Sequence, residues 1–90
     1  MDKIIITVVG KDRVGIIARV CTYLSDNNIN ILDITQTIVS DMFNMMVIAD
    51  TKGSEKAFGV IADELKLLGD DMGLRILAQK EEIFTEMHRI

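Results

Sequence analysis

The chain has 90 residues, of which 49% are hydrophobic, enough for one compact domain with a single core. The net charge is −4 and the lysines and arginines are scattered, so nucleic acid is not expected as a partner. A single cysteine, Cys21, excludes a disulfide framework and a thiolate metal cluster and indicates a reducing, cytoplasmic setting. The apolar run at residues 4–9 is too short for a signal peptide or a membrane span, so no membrane association is expected.

The first strand and the first helix follow from the apolar pattern. Residues Lys3–Val9 are nearly all apolar and mostly β-branched, which predicts a central strand covered on both faces. A helix is predicted from Val14, because apolar residues recur along one helical face. These residues are Ile16, Ile17, Val20, Cys21 and Leu24. Asp12 is the candidate N-cap, and residues 26–28 end the helix because asparagine tolerates the left-handed conformation.

The second half of the chain predicts a hairpin, a helix and a last strand. In the strand predicted at residues 29–39 the alternation changes phase between Ile31 and Leu32, which indicates a β-bulge. A tight turn at residues 40–41 leads into a strand at 42–50. A second helix has apolar residues at i, i+3, i+7 and i+10 from Phe58, with Gly69 as its stop signal. Residues 74–79 form the last strand.

The predicted order of elements is that of an α+β ferredoxin-like βαββαβ sandwich. Such a sandwich has a four-stranded antiparallel sheet with both helices on one face. We expect residues 1–80 to form this domain and residues 81–90 to add a C-terminal helix, with apolar residues at i, i+4 and i+7 from Ile83. The strand at 42–50 is apolar on both sides, so the open face of the sheet needs a cover, either the tail or a second subunit.

The turn between the first strand and the first helix carries two glycines, Gly10 and Gly15. A phosphate loop is excluded because isoleucines, Ile16 and Ile17, stand where lysine and serine or threonine are required. A dinucleotide fingerprint is excluded because Asp12 replaces its second glycine. RNA-recognition modules need stacking aromatics on the two central strands, which here offer one phenylalanine, so RNA binding is rejected as well.

The residues give little support to catalysis or metal binding, and we expect neither an enzyme nor a cofactor. The turn has no pair of cysteines for a metal, Cys21 fits a small core residue, and His88 stands alone. A distant alternative is an acylphosphatase-like hydrolase, because residues 15–19 are similar to the phosphate-binding turn of that family. Arg19 would then bind phosphate and Asn44 orient a water molecule, but the glutamine and the aromatic residue of that signature are missing.

Residues 10–34, GKDRVGIIARVCTYLSDNNINILDI, resemble the opening half of an ACT domain, a regulatory module of enzymes of amino-acid metabolism. The likeness extends over residues 3–80, and the chain is similar to small bacterial proteins related to the glycine-cleavage repressor. The family pattern is an aspartate or asparagine, a polar residue, proline, glycine, an aliphatic helix face and a later Asn-Ile pair. Here Val14 stands at the proline position, so the fixed backbone angle of the turn is lost.

The resemblance implies a non-catalytic regulatory protein that binds an amino acid or similar metabolite at a homodimer interface, or in a higher homo-oligomer, and signals to a protein partner. In the family the turn and the second strand contact the ligand, often from opposite protomers. The corresponding residues are Gly10, Lys11, Asp12, Arg13, Val14, Gly15, Ile16, Asn30 and Ile31.

The physical chemistry of the turn agrees with a zwitterionic ligand. A helix start offers free N–H groups to a carboxylate, and a glycine lets the backbone approach closely. The sequence leaves two alternatives open. Asp12 and Asn30 could serve only as a helix cap and a connection, and the chain could be a ligand-free module for oligomerisation and protein interaction.

Overall fold

A computed structural model of the chain describes residues 2–82. The elements are β1 (Lys3–Lys11), α1 (Ile16–Asp26), β2 (Asn30–Val39), β3 (Met42–Asp50), α2 (Phe58–Met72) and β4 (Leu74–Lys80). This order confirms the predicted ferredoxin-like βαββαβ fold. The C-terminal helix predicted at residues 81–90 lies, from residue 83 onward, outside the described residues.

The four strands form one antiparallel sheet in the order β2-β3-β1-β4. Strand β1 lies between β3 and β4, so that Ile6 is opposite Val47 on one side and Ala78 on the other. Strand β2 is at the edge and pairs only with β3 within the described residues. Since β1 and β3 are the two central strands, their apolar residues form the base of the core.

The core lies between one face of the sheet and the two helices. Alternate residues of β1, namely Ile4, Ile6 and Val8, are buried there with Val20 and Leu24 of α1. The opposite face of β1 is unevenly covered, since Ile5 is 5% exposed and Val9 is 38% exposed. The prediction that β1 is covered on both faces is therefore wrong at Val9. The pattern of β1 did not distinguish a strand under one layer of helices from one between two layers.

The β2–β3 hairpin has the predicted bulge and turn. The pairing shifts between Ile31 and Asp33, which leaves Leu32 as the extra residue of the bulge. Ser40 and Asp41 both have positive φ, 49° and 67°, as in the two-residue turns whose twist matches that of the strands they join. The phase change in the apolar pattern was thus a reliable signal of the bulge.

Helix α1 begins three residues later than its predicted cap implies. Its N-cap is Gly15, with φ 92° and no side-chain hydrogen bond, so the prediction of Asp12 as the cap is wrong. The Asp12 backbone N–H instead donates to the Asp41 carbonyl at 2.9 Å, because β1 continues to Lys11 beside the hairpin. At the other end Asn28 takes the left-handed conformation, φ 58°, as expected after the helix.

Helix α2 does not stop at Gly69, and that prediction is wrong. Gly69 is buried inside the helix, which continues to Met72 and ends at Gly73 with φ 71°. A Cβ at Gly69 would lie 2.9 Å from both the Leu74 carbonyl oxygen and Ile76 Cγ1. This glycine is therefore required by the close contact between α2 and β4, and Gly73 ends the helix.

A polar cluster of Tyr23, Lys56 and Glu64 joins α1 to the start of α2. The Tyr23 hydroxyl donates to Glu64 Oε1 at 2.7 Å, and Lys56 Nζ donates to the same oxygen at 2.6 Å. The pKa of Glu64 is lowered, chiefly by the hydrogen bond from Lys56 and then by that from Tyr23. Burial, followed by the hydrogen bond to Glu64, raises the pKa of Tyr23 above its ordinary value of 10.0.

The titration of Tyr23 gives a direct test of this cluster, because the chain has one tyrosine and no tryptophan. We expect the near-ultraviolet absorbance of the folded protein to titrate above pH 10 and that of the unfolded chain at about 10. Since folding raises this pKa, the cluster stabilises the protein below about pH 10, and the stabilisation is lost as the pH rises through the folded value. In the Glu64→Gln variant, Tyr23 is expected to titrate at a lower pH than in the wild type but still above pH 10, because the burial of its hydroxyl remains. If Tyr23 of the folded wild type titrates with a midpoint at its ordinary pKa of 10.0, the hydrogen-bonded cluster is contradicted.

Candidate functional site

The turn between β1 and α1 is fixed at two points by the rest of the chain. Its first contact is the hydrogen bond from the Asp12 backbone to Asp41 in the hairpin turn. Its second is the Arg13 guanidinium, whose Nη1 donates to the Met72 carbonyl at 2.8 Å. This carbonyl is at the C-terminus of α2, where a positive charge is stabilised by the helix dipole. Arg13 therefore positions the turn, and its Nη1 is already engaged.

The start of α1 presents backbone donors. The first intrahelical bond joins the Arg19 N–H to the Gly15 carbonyl at 2.9 Å. The N–H groups of the preceding helical residues have no acceptor within the helix, and Gly15 offers no side-chain cap. A side chain at Gly15 would be strained, because φ there is 92°. This end of α1 can therefore donate hydrogen bonds to an anionic group.

A pocket of about 290 Å³ opens between this turn and the helix-facing side of β2. Its lining residues are Asp12, Arg13, Gly15, Ile16, Ile17, Ala18, Gln36, Ile38 and Phe43. Its volume is at the lower bound for small-molecule sites, as expected for a ligand of metabolite size. The helix donors and an apolar floor share the pocket with three polar side chains: the Asp12 carboxylate, the Gln36 amide and the Arg13 guanidinium, which also binds the Met72 carbonyl. Such a lining has acceptors for a cation and donors for an anion close together.

Four of the nine predicted ligand-binding residues line this pocket: Asp12, Arg13, Gly15 and Ile16. Three others from the turn do not. Gly10 and Lys11 belong to the end of β1, where Lys11 pairs with Met42. Val14 is 99% exposed at the tip of the turn. The pocket is thus built from the helix side of the turn.

Asn30 and Ile31 lie at the opposite end of the sheet from the turn. Asn30 is opposite Asp50, which is itself opposite Lys3 at the start of β1, whereas the turn follows the end of that strand. Within a single chain the two parts of the predicted site are therefore separated by the length of the sheet. One protomer alone does not bring them together.

Five residues of the pocket were not among the predicted ligand-binding residues: Ile17, Ala18, Gln36, Ile38 and Phe43. Phe43 was considered only as part of the apolar strand at 42–50, and β2 was considered only for its beginning and its bulge. Ile38 pairs with Phe43 and so shares its face of the sheet. Counting alternate positions back from the hairpin turn would have placed Gln36 and Ile38 on that face.

Strand β2 is an exposed edge along nearly its whole length, with only Ile31 partly buried. The helix-facing side chains of Ile34 and Ile38 are 37% and 58% exposed, because the helices do not extend over this strand. A long edge with unpaired backbone groups and apolar side chains is a surface that pairs readily with another strand. The pocket lies beside this edge.

The residues of the acylphosphatase alternative are not brought together. Arg19 is exposed on α1 and forms a salt bridge with Asp71, with 3.1 Å between Nη2 and Oδ2. Asn44 alternates with Phe43 and Met45, which face the core, and so it faces the open side of the sheet. The sheet therefore separates the two side chains.

Within residues 2–82, no three histidine, cysteine, aspartate or glutamate side chains cluster in a way that could hold a metal ion. Over the same range the longest helix, α2, has 15 residues, and neither helix is long and apolar enough to cross a bilayer.

The fold and the pocket define a small α+β domain with a ligand-sized cleft at its first strand–helix turn. Residues 2–79 match the sequence pattern of the ACT domain. A UPF0237 protein of Bifidobacterium longum is 62% identical over 90 residues, which is 100% of both chains, and one of Methanocaldococcus jannaschii is 39% identical over the same extent. An ACT domain protein from Streptococcus pneumoniae is 35% identical in structure-based alignment, with 91% of this chain and 92% of that chain covered and a TM-score of 0.81. The chain belongs to the ACT-domain family, a family of regulatory modules.

More distant neighbours have the same domain inside longer chains. A candidate glycine cleavage system transcriptional repressor is 26% identical, with 86% of this chain and 44% of that chain covered and a TM-score of 0.75. A formyltetrahydrofolate deformylase from Pseudomonas syringae, 16% identical with a TM-score of 0.79, shares the fold, and only 26% of that chain is covered. The names of the two UPF0237 relatives and of the pneumococcal protein are not those of enzymes.

Proposed function

We propose that this protein is a homodimeric cytoplasmic regulator that binds an amino acid, or a similar small zwitterion, in the pocket at the β1–α1 turn and signals its presence to a protein partner. The observation that carries the proposal is the composition of the pocket. Free N–H groups at the start of α1 suit the carboxylate of an amino acid. The Asp12 carboxylate and the Gln36 side-chain oxygen suit its ammonium group.

The apolar part of the pocket gives the ligand an orientation. Ile17, Ile38 and Phe43 are apolar residues of the lining, and they would contact the side chain of a bound amino acid. Ligands with a small aliphatic side chain would bury that group and keep both charges paired. The proposal therefore favours aliphatic amino acids over acidic ones, whose second carboxylate would approach Asp12.

A second copy of the chain completes the proposed site. If two β2 edges pair in antiparallel fashion about a twofold axis near the middle of the strand, the start of one strand lies beside the end of the other. Asn30 of the partner subunit would then approach the hairpin end of β2, next to the pocket. This pairing also covers Ile34 and Ile38, whose exposure in a single chain is otherwise costly.

A ligand-free interaction module is the second candidate. The exposed β2 edge supports it, because the edge alone is sufficient for pairing with another strand. The two candidates differ in whether the pocket is occupied. They therefore predict the same oligomer but different responses to small molecules.

Thermal melting against a panel of the common amino acids distinguishes them. At a tenfold excess over its dissociation constant, a true ligand is expected to raise the melting temperature by about 5–10 °C. An Asp12→Ala variant should lose this response and keep its oligomer size in sedimentation. The matched control is Asp63→Ala, an exposed aspartate on α2 away from the pocket lining. If no amino acid raises the melting temperature, the proposed binding of an amino acid is contradicted, and the ligand-free interaction module is the candidate that agrees with the result.

A further inference from the structure

The face of the sheet opposite the helices carries exposed apolar side chains at the end near the hairpin turn. Strand pairing places Val39 opposite Met42, and Thr7 between Met46 and Leu77. We name the apolar residues of this area the open-face patch: Val9, Val39, Met42, Met46 and Leu77. Each of them is between 37% and 62% exposed. A contiguous apolar surface of this kind is typical of a site that binds another molecule.

The dimensions of the open-face patch suit one helix. It extends over all four strands, from Val39 on β2 to Leu77 on β4, which is about 19 Å at ordinary strand spacing. Along β3 it extends from Met42 to Met46, a distance of about 14 Å. A helix is 10–12 Å in diameter and spans about 19 Å with roughly 13 residues. The patch can therefore hold one such helix lying across the strands.

Two cationic side chains border the open-face patch. Lys11 is opposite Met42, and Arg75 is opposite Val9. Within residues 2–82 neither cation forms an ion pair or a side-chain hydrogen bond. Along the part of the described strands that holds the patch, no residue on this face is acidic, although the chain has a net charge of −4. The charge of this surface is therefore complementary to a partner that carries carboxylates.

We infer that the open-face patch is the docking site for an acidic amphipathic helix of the protein partner. The apolar side chains of such a helix would pack on Met42 and Met46, whose flexible side chains adapt to the shape of a partner. Its carboxylates would pair with Lys11 and Arg75. A second copy of the chain is less suitable, because stacking patch on patch would bring the same two cations together. The inference takes the existence of a protein partner from the proposed function.

Photo-crosslinking of the full-length protein in the cells that produce it identifies the occupant of the patch. A photo-reactive benzoylphenylalanine replaces Met46 in the patch or, as the control, Val60, which is 46% exposed on α2. We expect the probe at position 46, but not the probe at position 60, to crosslink to another protein. The crosslinked segment should have apolar residues at helical spacing, with aspartates or glutamates beside them.

Four outcomes of the crosslinking would overturn the inference. They are no product at position 46, the same product from position 60, a crosslinked segment without acidic residues, and a product formed only within this protein. The last outcome includes a crosslink to a second copy and a crosslink to residues 83–90 of the same chain.

A pair of charge variants tests the electrostatic part of the contact. The probe is the crosslinked segment, prepared as a peptide, and its affinity for the full-length protein is measured at two salt concentrations. Arg75→Glu should weaken binding on the order of tenfold at low salt and by less at high salt. The control is Lys52→Glu, which changes an exposed lysine beyond the end of β3, at the opposite end of the sheet, and should leave binding unchanged. Equal affinities in the two variants would contradict the role of Arg75.

The docking site and the amino-acid pocket are separated by the sheet, so their tests fail independently. Arg75 is on the open face and is not part of the pocket lining at the β1–α1 turn. The Arg75→Glu variant should therefore keep the melting response to amino acids while it loses affinity for the peptide. If the peptide binds the wild type and no amino acid raises the melting temperature, the docking site stands and the amino-acid sensor is contradicted. If the wild type responds to an amino acid and does not bind the peptide, the docking site is contradicted.

Discussion

Replacing Gly69 with alanine is expected to destabilise the protein by about 1–3 kcal/mol, even though alanine is the better helix former. The added Cβ would lie 2.9 Å from the Leu74 carbonyl oxygen and 3.2 Å from the Ile76 nitrogen. Both atoms belong to the backbone of β4, so they cannot rotate away as a side chain would. To relieve the contact, α2 must move away from the sheet, which loosens the packing of Leu65 in the core.

Gly59 is the matched control, because it is a glycine of the same helix with no atom within 4 Å of its added Cβ. Gly59→Ala is expected to stabilise the protein by up to about 1 kcal/mol through helix propensity alone. Urea unfolding of both variants and the wild type gives the comparison, with the midpoint and the slope reported separately. If Gly69→Ala is as stable as Gly59→Ala, the close approach of α2 to β4 is wrong.

The end of α2 was predicted wrongly because two glycines with different roles cannot be distinguished in the sequence. A glycine that ends a helix and a glycine that admits a neighbouring strand look alike in the chain, and here they are four residues apart. Gly73 has the positive φ that ends the helix, and Gly69 has the buried contact. The contact with β4 distinguishes Gly69 from Gly73, and this contact is part of the tertiary structure rather than of the local sequence.

Features specified by local chemistry were predictable. The β2 bulge follows from a single change of phase at Leu32, and the hairpin turn follows from Ser40 and Asp41 between two apolar strands. The fold class follows from the order of such elements, since few topologies connect them without crossing. These predictions needed no knowledge of which residues meet across the molecule.

The candidate site was predictable only in part, because some of its residues come together through contacts between segments that are distant in sequence. The turn residues were found because Asp12 and Gly15 are close in sequence, whereas Gln36 and Ile38 enter the pocket only through the pairing of β2 with β3. Arg13 was predicted to contact a ligand, and the structure pairs it with the Met72 carbonyl. A sequence pattern identifies a conspicuous turn but not what each of its side chains contacts.

Replacing Ile34 with aspartate is expected to dissociate the proposed homodimer. Ile34 is 37% exposed on the helix-facing side of the β2 edge, so one chain folds without covering it. Pairing of two β2 edges would bury an unpaired carboxylate from each subunit. We expect the dissociation constant to rise on the order of 100-fold, or about 2.7 kcal/mol.

Val60→Asp is the control for this variant, because Val60 is an apolar residue on α2 that is 46% exposed and belongs to neither β2 nor the pocket. Sedimentation across a concentration series should give a monomer for Ile34→Asp and a dimer for Val60→Asp. Because the proposed ligand lies between the turn and Asn30 of the partner subunit, the Ile34→Asp monomer should also lose its melting response to amino acids. A monomer that retained the full response would show that the pocket binds without the partner. A variant that remained dimeric would show that β2 is not the edge through which the subunits associate.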